Sequence, residues 1–323
     1  MLTEVEIEAS DGISARVKEL LPQLSALRSI SCYQDEESLD KELLFAGDEA
    51  ETFCGELGKQ CRHLREVAFD FMTDHCLETI ALQWPHLRSV DFSNSEVSDA
   101  GVVALVEARG GQLTEVSLES TDVTDASLEA IAAHCAALEH LNVNHCEAIT
   151  GAEGLSCVIG SCGRLQRLRA IKADASLFDY ELQLVLEQLT RCTEELLELE
   201  LDGDYRDADG ALAEMLGKFP GLRLLDIKSD ELIPDTVLRL VAAKCRCLET
   251  LRVEDKFLDG RVNIKDAGVW RRLLEGNSGL RELVLEVENV ASYAQCETIV
   301  ECGRRLEFIE MGTNENMSKE SIK

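Results

Sequence analysis

The side chains that could hold a metal converge once in this chain. His134, Cys135, His140, His145 and Cys146 fall within thirteen residues, and imidazole and thiolate are the ligands zinc prefers. A structural zinc site is written, however, with paired cysteines at a fixed short spacing. The nearest approach here, Cys245-x-Cys247, is too tight for that motif. No GxxxxGK[ST] or GxGxxG element is present to cradle a phosphate, and no GxSxG elbow to present a nucleophile. Acidic residues abound, but nothing singles out two in a desolvated cleft for general acid–base work. The sequence therefore predicts no catalytic residue, no metal ligand and no cofactor.

The elements that would carry these residues follow from a repeat. A frame of Leu, two residues, an aliphatic, one residue and an aliphatic opens at Leu27, Leu64, Leu87, Leu113, Leu138, Leu165, Leu196, Leu222, Leu248, Leu280 and Leu306. The dominant interval is about 26 residues, the range of a solenoid whose units bury their apolar faces only by stacking. Within a unit, Leu113, Val116 and Leu118 alternate over a few positions, which suits a very short strand. Thr124 and Asp125 then precede Leu128, Ile131 and Ala132, which read as an N-capped amphipathic helix. Ser98 with Asp99, and Thr150, open helices in the same way, and Pro234 sits where a first-turn proline is tolerated. Strand and helix alternate throughout. The predicted fold is an α/β horseshoe of eleven registered repeats, with a parallel sheet inside and helices outside.

Cysteines mark the frame. Cys61, Cys135, Cys162 and Cys245 each lie three residues before a repeat leucine, and Cys192 and Cys302 one place further back. Cys146 follows the strand where a buried polar side chain satisfies the turn. Taken together these positions resemble the cysteine-containing class of leucine-rich repeats, known from the repeat arms of F-box proteins and from other intracellular and ciliary scaffolds. The resemblance spans residues 24–312, without a recognisable F-box ahead of the repeats. Trp84, Phe219, Asn277 and Gly110 stand at other cysteine positions, and Ser95, Thr121, Ala173, Asp204 and Asp230 at the Asn/Cys position. The resemblance implies a scaffold and leaves the partner open.

Thirteen cysteines invite a disulfide reading, but half of them occupy frame sites where a thiol acts as a small apolar group. The acidic start, with Glu4, Glu6 and Glu8, resembles neither a secretory nor a mitochondrial leader. A reduced compartment and a cytoplasmic address are expected, with a nuclear or ciliary one open. Residues 1–26 read as an N-terminal cap containing an amphipathic helix at 14–24, residues 27–312 as one solenoid, and 313–323 as a polar tail. Long intervals hold insertions at 35–51, 172–183 and 253–266, which map to loops on one face.

Charge supplies the rest. With 62 acidic against 32 basic residues the net charge is -30, so phosphate backbones and anionic membrane surfaces are excluded as partners. Residues two, four and six places after each frame leucine project from the inner sheet. They include Glu66, Asp70, Asp91, Glu115, Glu119, Glu198, Glu200, Asp202, Asp226, Glu254, Glu282, Glu286 and Glu310, against Arg167, Arg169, Lys228 and Arg252. Adjacent strands lie about 4.8 Å apart, so the arginines can neutralise part of the acidic patch. His140, Asn142 and Asn144, with Ser89, Ser93 and Ser117, add a polar stretch, and Tyr33 and Phe308 are the inner-face aromatics. The expected function is a non-catalytic protein–protein scaffold whose concave face holds a basic segment of a protein partner. Its contact set is Glu115, Glu119, His140, Asn142, Arg167, Arg169, Glu198, Glu200, Asp202, Asp226, Arg252, Glu254, Glu282 and Glu286. Homo-oligomerisation is not implied. Two alternatives carry different partners: the substrate-recognition subunit of an SCF-type ubiquitin ligase, and a GTPase-activating or enzyme-inhibiting horseshoe.

Overall fold

The computed structural model describes residues 3–9, 24–34, 47–149, 152–170, 182–192, 196–202, 209–229, 235–255, 267–286 and 293–311. The chain divides into two compact units, 1–165 and 166–323. The first carries strands β1 (Glu4–Ala9), β2 (Ser29–Gln34), β3 (Glu66–Phe69), β4 (Ser89–Asp91), β5 (Glu115–Ser117) and β6 (His140–Asn142). Helices α1 (Gly47–Gln60), α2 (Asp74–Gln83), α3 (Asp99–Arg109), α4 (Asp125–His134) and α5 (Ala152–Ser161) follow the strands from β2 onward. The second carries β7 (Arg167–Ala170), β8 (Glu198–Asp202), β9 (Leu224–Ser229), β10 (Thr250–Asp255), β11 (Glu282–Glu286) and β12 (Phe308–Met311). Its helices are α6 (Leu182–Cys192), α7 (Asp209–Lys218), α8 (Asp235–Lys244), α9 (Ala267–Gly276) and α10 (Tyr293–Cys302). The helix expected at 14–24, the caps Thr150 and Pro234, Ala173, Asp204 and Asp230, most of the three insertions and the tail lie outside the described residues.

All described pairings within each unit are parallel, and their register follows the leucine frame without slippage. Ser29, Glu66, Ser89, Glu115 and His140, each two places after a frame leucine, stand opposite one another in turn. Arg167, Glu198, Leu224, Thr250, Glu282 and Phe308 do the same in the second unit. Leu27, Leu64, Leu87, Leu113, Leu138, Leu165, Leu222 and Leu248 are fully buried. Leu306 is only half-buried, because no later described strand pairs with β12. One frame escaped the sequence reading. Glu4 pairs with Ser29, so β1 adds a further repeat strand inside the segment expected to form a cap.

Local chemistry shapes each unit. After β4, β5 and β6 the backbone turns through positive φ at Asn94, Ser120 and His145 (59°, 57° and 58°), one equivalent residue per repeat. The next residue is buried and polar in each case. Ser95 donates to Phe69 O (3.1 Å), Thr121 to Leu118 O (2.6 Å), and Cys146 Sγ to Leu118 O (2.9 Å). A second ladder joins the helix starts. Thr73, Ser98 and Thr124 cap α2, α3 and α4, as the sequence predicts for the last two. The following aspartates reach forward one repeat: Asp74 accepts from Ser98 N and Oγ at 2.8 and 2.7 Å. Asp99 accepts from Thr124 N and Oγ1 and from Ser127 N and Oγ, at 2.5–3.2 Å. The ladder demands a small residue in the first turn of α3. A Cβ on Gly101 would stand 2.5 Å from Asp74 Oδ1 and 2.9 Å from its Cα.

The frame cysteines Cys61, Cys135, Cys162 and Cys245 are fully buried free thiols. Burial pushes Cys135 and Cys245 up to about 12 and Cys61 and Cys162 up to about 11, so all four stay protonated and inert. Trp84, Phe219 and Asn277 fill the same site elsewhere. Asn277 does so by accepting from Leu248 N (3.0 Å) and donating to Leu273 O (2.9 Å). Cys302, at the last repeat, is only half-buried.

Burial alone would raise the Asp99 carboxyl, but the bonds from Ser127 and Thr124 outweigh it and hold the group below its ordinary value. Its contribution is therefore complete above about pH 4 and is lost as pH falls through the depressed folded value. Asp99→Ala should cost about 2–3 kcal/mol at neutral pH. Urea melts should show the difference between parent and variant shrinking on acidification.

Candidate functional site

The faces that could meet a partner are the sheet faces turned away from the helices, and the two units treat charge there in different ways. In the second unit acids stand beside cations. Arg167 pairs with Glu198 and Arg169 with Glu200, both at 3.0 Å, and Lys228 with Glu254 at 2.8 Å. Each of these pairs lies directly opposite in the register. Arg252 reaches diagonally to Glu282 at 2.9 Å and lies 3.8 Å from Asp226. The neutralisation inferred from strand spacing for Arg167 and Arg169 thus extends to Lys228 and Arg252.

Two of these acids sit deep. Glu200 and Asp226, opposite one another in the register, are only 5% and 2% exposed. Asp226 Oδ1 is buried without a hydrogen-bond donor. Loss of water pushes the Asp226 carboxyl up to about 6. Lys228 and Arg252 pull it down, against Glu200 and Glu254. Neither acid offers its carboxylate to an incoming partner. Asp202 ends β8 and Glu286 ends β11, and their side chains lie outside the described residues.

Among the described residues, the first unit has no lysine or arginine at its face positions. One row runs Glu4, Ser29, Glu66, Ser89, Glu115, His140. The next runs Glu6, Ser31, Ala68, Asp91, Ser117, Asn142. In the first row a serine stands between Glu4 and Glu66 and between Glu66 and Glu115, so successive carboxylates are two strands apart, about 10 Å. That is close to one Debye length. The structure brings Glu115, Glu119, His140 and Asn142 together. Glu115 accepts from Ser89 Oγ (2.9 Å) and meets His140 Nδ1 (2.8 Å). Asn142 Nδ2 donates to Glu119 Oε2 (2.8 Å) and Ser117 Oγ (3.1 Å). Tyr33 is 39% exposed on this face. Its phenol is held above its usual value first by burial and then by Asp91, Glu6 and Asp70, against a lowering bond with Ser31.

The histidine–cysteine group is dispersed. Cys135 and Cys146 are buried frame thiols, His140 lies on the sheet face, His134 is exposed at a helix end, and His145 is half-buried in a turn. Among the described residues no three His, Cys, Asp or Glu side chains gather as a metal would require. No helix of the described residues is long and apolar enough to cross a membrane.

Residues 85–106 match a family model described as Leucine Rich repeat. Among solved structures, a chain from the crystal structure of the Rad7 and Elc1 complex in yeast aligns at a TM-score of 0.56 with 14% identity, covering 96% of this chain and 87% of that one. A leucine-rich-repeat protein of Leptospira interrogans aligns at a TM-score of 0.42 with 12% identity, over 94% of this chain and 69% of that one. No curated protein matches the sequence. The fold is an α/β leucine-rich-repeat solenoid.

Asp226 yields a test of the buried charge. Its carboxyl holds a proton more tightly folded than unfolded, so its favourable share of stability is present below about pH 4 and is lost as pH rises through about 6. Asp226→Asn should flatten that window and should exceed the parent at pH 7 by about 2 kcal/mol. Denaturant midpoints taken across the range measure both effects.

Proposed function

We propose that this leucine-rich-repeat chain is a non-catalytic interaction scaffold, and that a basic segment of a protein partner lies across the sheet face of its first unit. What supports the reading is the contrast in charge. The acids of the second unit's face already stand against Arg167, Arg169, Lys228 and Arg252. Those of the first unit have no lysine or arginine among them at the described face positions. A cationic segment adds the missing charge without displacing an existing pair. Tyr33 supplies an aromatic surface with Glu6, Asp70 and Asp91 in its electrostatic neighbourhood, an environment suited to an arginine or lysine head. Glu4, Glu6 and Glu66 are exposed, and Glu115, Glu119, His140 and Asn142 extend the surface with oriented hydrogen-bonding groups.

This moves the centre of the expected contact set. Glu198, Glu200, Asp226, Arg252, Glu254 and Glu282 serve chiefly as the self-neutralised part of the scaffold. Glu115, Glu119, His140 and Asn142 remain as contacts, joined by Glu4, Glu6, Glu66, Asp91 and Tyr33. The yeast structure above is itself a complex of two proteins, which accords with assembly as the working state of such a solenoid.

The test is a pair of charge reversals carrying the same change in net charge. Binding of a short labelled Lys/Arg-rich peptide to the full chain should weaken tenfold or more in Glu4→Lys/Glu6→Lys/Glu66→Lys, about 1.4 kcal/mol. It should change little in Glu198→Lys/Glu254→Lys/Glu282→Lys. Equal losses in the two would reduce the effect to the protein's overall field and remove the assignment to the first unit.

A further inference from the structure

The residue that immediately follows each frame leucine forms a row of its own, along the edge where the strands begin. In the first unit this row reads Thr3, Arg28, Arg65, Arg88, Thr114, Glu139. Its members are neighbouring rungs of one backbone ladder. Arg28 N donates to Thr3 O (2.8 Å), Arg65 N to Arg28 O (2.7 Å), Arg88 N to Arg65 O (2.7 Å) and Thr114 N to Arg88 O (2.8 Å). All three arginines are exposed, and no acid among the described residues lies within ion-pair distance of any of them. The residues before the leucines add to the patch: Arg62 is exposed, and His63 and His86 stack at 6.3 Å with planes 9° apart. Glu66, in the next row, is the acid that borders it.

The same position in the second unit is arranged differently. There Arg223 faces Glu249 and Arg281 faces Glu307, each at 3.9 Å, so the row neutralises itself strand by strand. Three arginines on successive rungs instead place like charges about 4.8 Å apart, an arrangement that is unfavourable in the unbound protein and relieved by an anion. In a chain of net charge -30, such a row is a local inversion of the protein's field.

We infer that this edge is a docking site for an acidic segment of a protein partner, presenting roughly one carboxylate per helical turn. The pitch supports a helix: one turn rises about 5.4 Å, close to the rung spacing, so successive turns set a carboxylate before Arg28, Arg65 and Arg88. Arginine's planar fork suits bidentate pairing with carboxylates. The extent of the row limits the segment. Arg28 and Arg88 are two rungs apart, about 10 Å, and the row turns neutral at Thr114 and acidic at Glu139, which pairs with Arg164 at 3.8 Å. A continuous polyanion such as nucleic acid would extend past the basic rungs into the field of the acidic sheet face. A few carboxylates confined to the edge would not. The inference is independent of the basic segment proposed for the sheet face, since the two surfaces occupy different frame positions.

The test uses the full chain and a labelled helical peptide with glutamate at one position per turn, read by fluorescence anisotropy against its Glu→Gln counterpart. Binding should be salt-sensitive. It should fall tenfold or more in Arg28→Gln/Arg65→Gln/Arg88→Gln and by less in the triple Arg→Lys variant, which keeps charge but loses the fork. It should persist in Lys244→Gln/Arg272→Gln/Arg304→Gln, which removes equal charge elsewhere. Should the edge triple melt early, Arg65→Gln alone carries the comparison. A flat titration, equal loss in both Gln triples, or capture of a phosphoserine peptide or a single-stranded oligonucleotide in preference to the acidic helix would overturn the assignment.

Discussion

One constraint governs the rest: within each unit, repeats stack in strict register, so any frame position becomes a row of side chains at the strand spacing of about 4.8 Å. The buried frame leucines impose it. A slip of one residue would exchange the buried and exposed faces of a strand, and the fully buried leucines leave no room for that. A charge written at one position therefore always faces its equivalents on neighbouring strands. Two like charges about 5 Å apart repel by roughly 3 kcal/mol at an effective dielectric of about 20, and by less than 1 in bulk water. A solenoid with 62 acids must answer that repulsion row by row.

The answers differ between the units, and the differences carry functional content. The second unit inserts cations beside acids, as in Arg169 with Glu200 and Lys228 with Glu254. The side effect is burial: once a carboxylate is covered by its neighbours it leaves the interaction surface, as Glu200 and Asp226 have. The first unit inserts neutral residues instead. Ser29 and Ser89 in one row, and Ser31 with Ala68 in the next, separate the acids without cancelling them, so the field survives at the surface, where an exposed Tyr33 stands beside it.

Much of this was legible in the sequence, and the failures have physical reasons. Ser98 and Thr124 announced their helices because capping is local chemistry, settled within a turn. The frame cysteines announced buried sites because they recur in phase. The strand at Glu4–Ala9 was missed although Leu2, Val5 and Ile7 fit the frame. Its outward glutamates dominated the reading, and in a strand outward charge is compatible with an inward core. The aspartate ladder was missed because its partners lie 24 to 28 residues apart, which only the stacking brings together. The burial of Asp226 was missed for a related reason. The same alternation that marks a face position says nothing of how far the neighbouring side chains close over it.

The arginine row follows from the same constraint, applied to a position that is neither core nor face. The residue after the frame leucine lies at the strand's opening, where its backbone serves the ladder and its side chain is released from packing. Such a position is under no demand from the fold, so any pattern there needs another cause. Where the second unit alternates Arg223 with Glu249 and Arg281 with Glu307, the pattern neutralises itself and needs none. Where the first unit sets Arg28, Arg65 and Arg88 on consecutive rungs, register turns three separate sequence choices into one concentrated positive edge. Acidic face and basic edge then adjoin along the same repeats. A partner carrying charge of both signs can be held in one orientation by the pair, since reversing it would set like charges against each other on both surfaces.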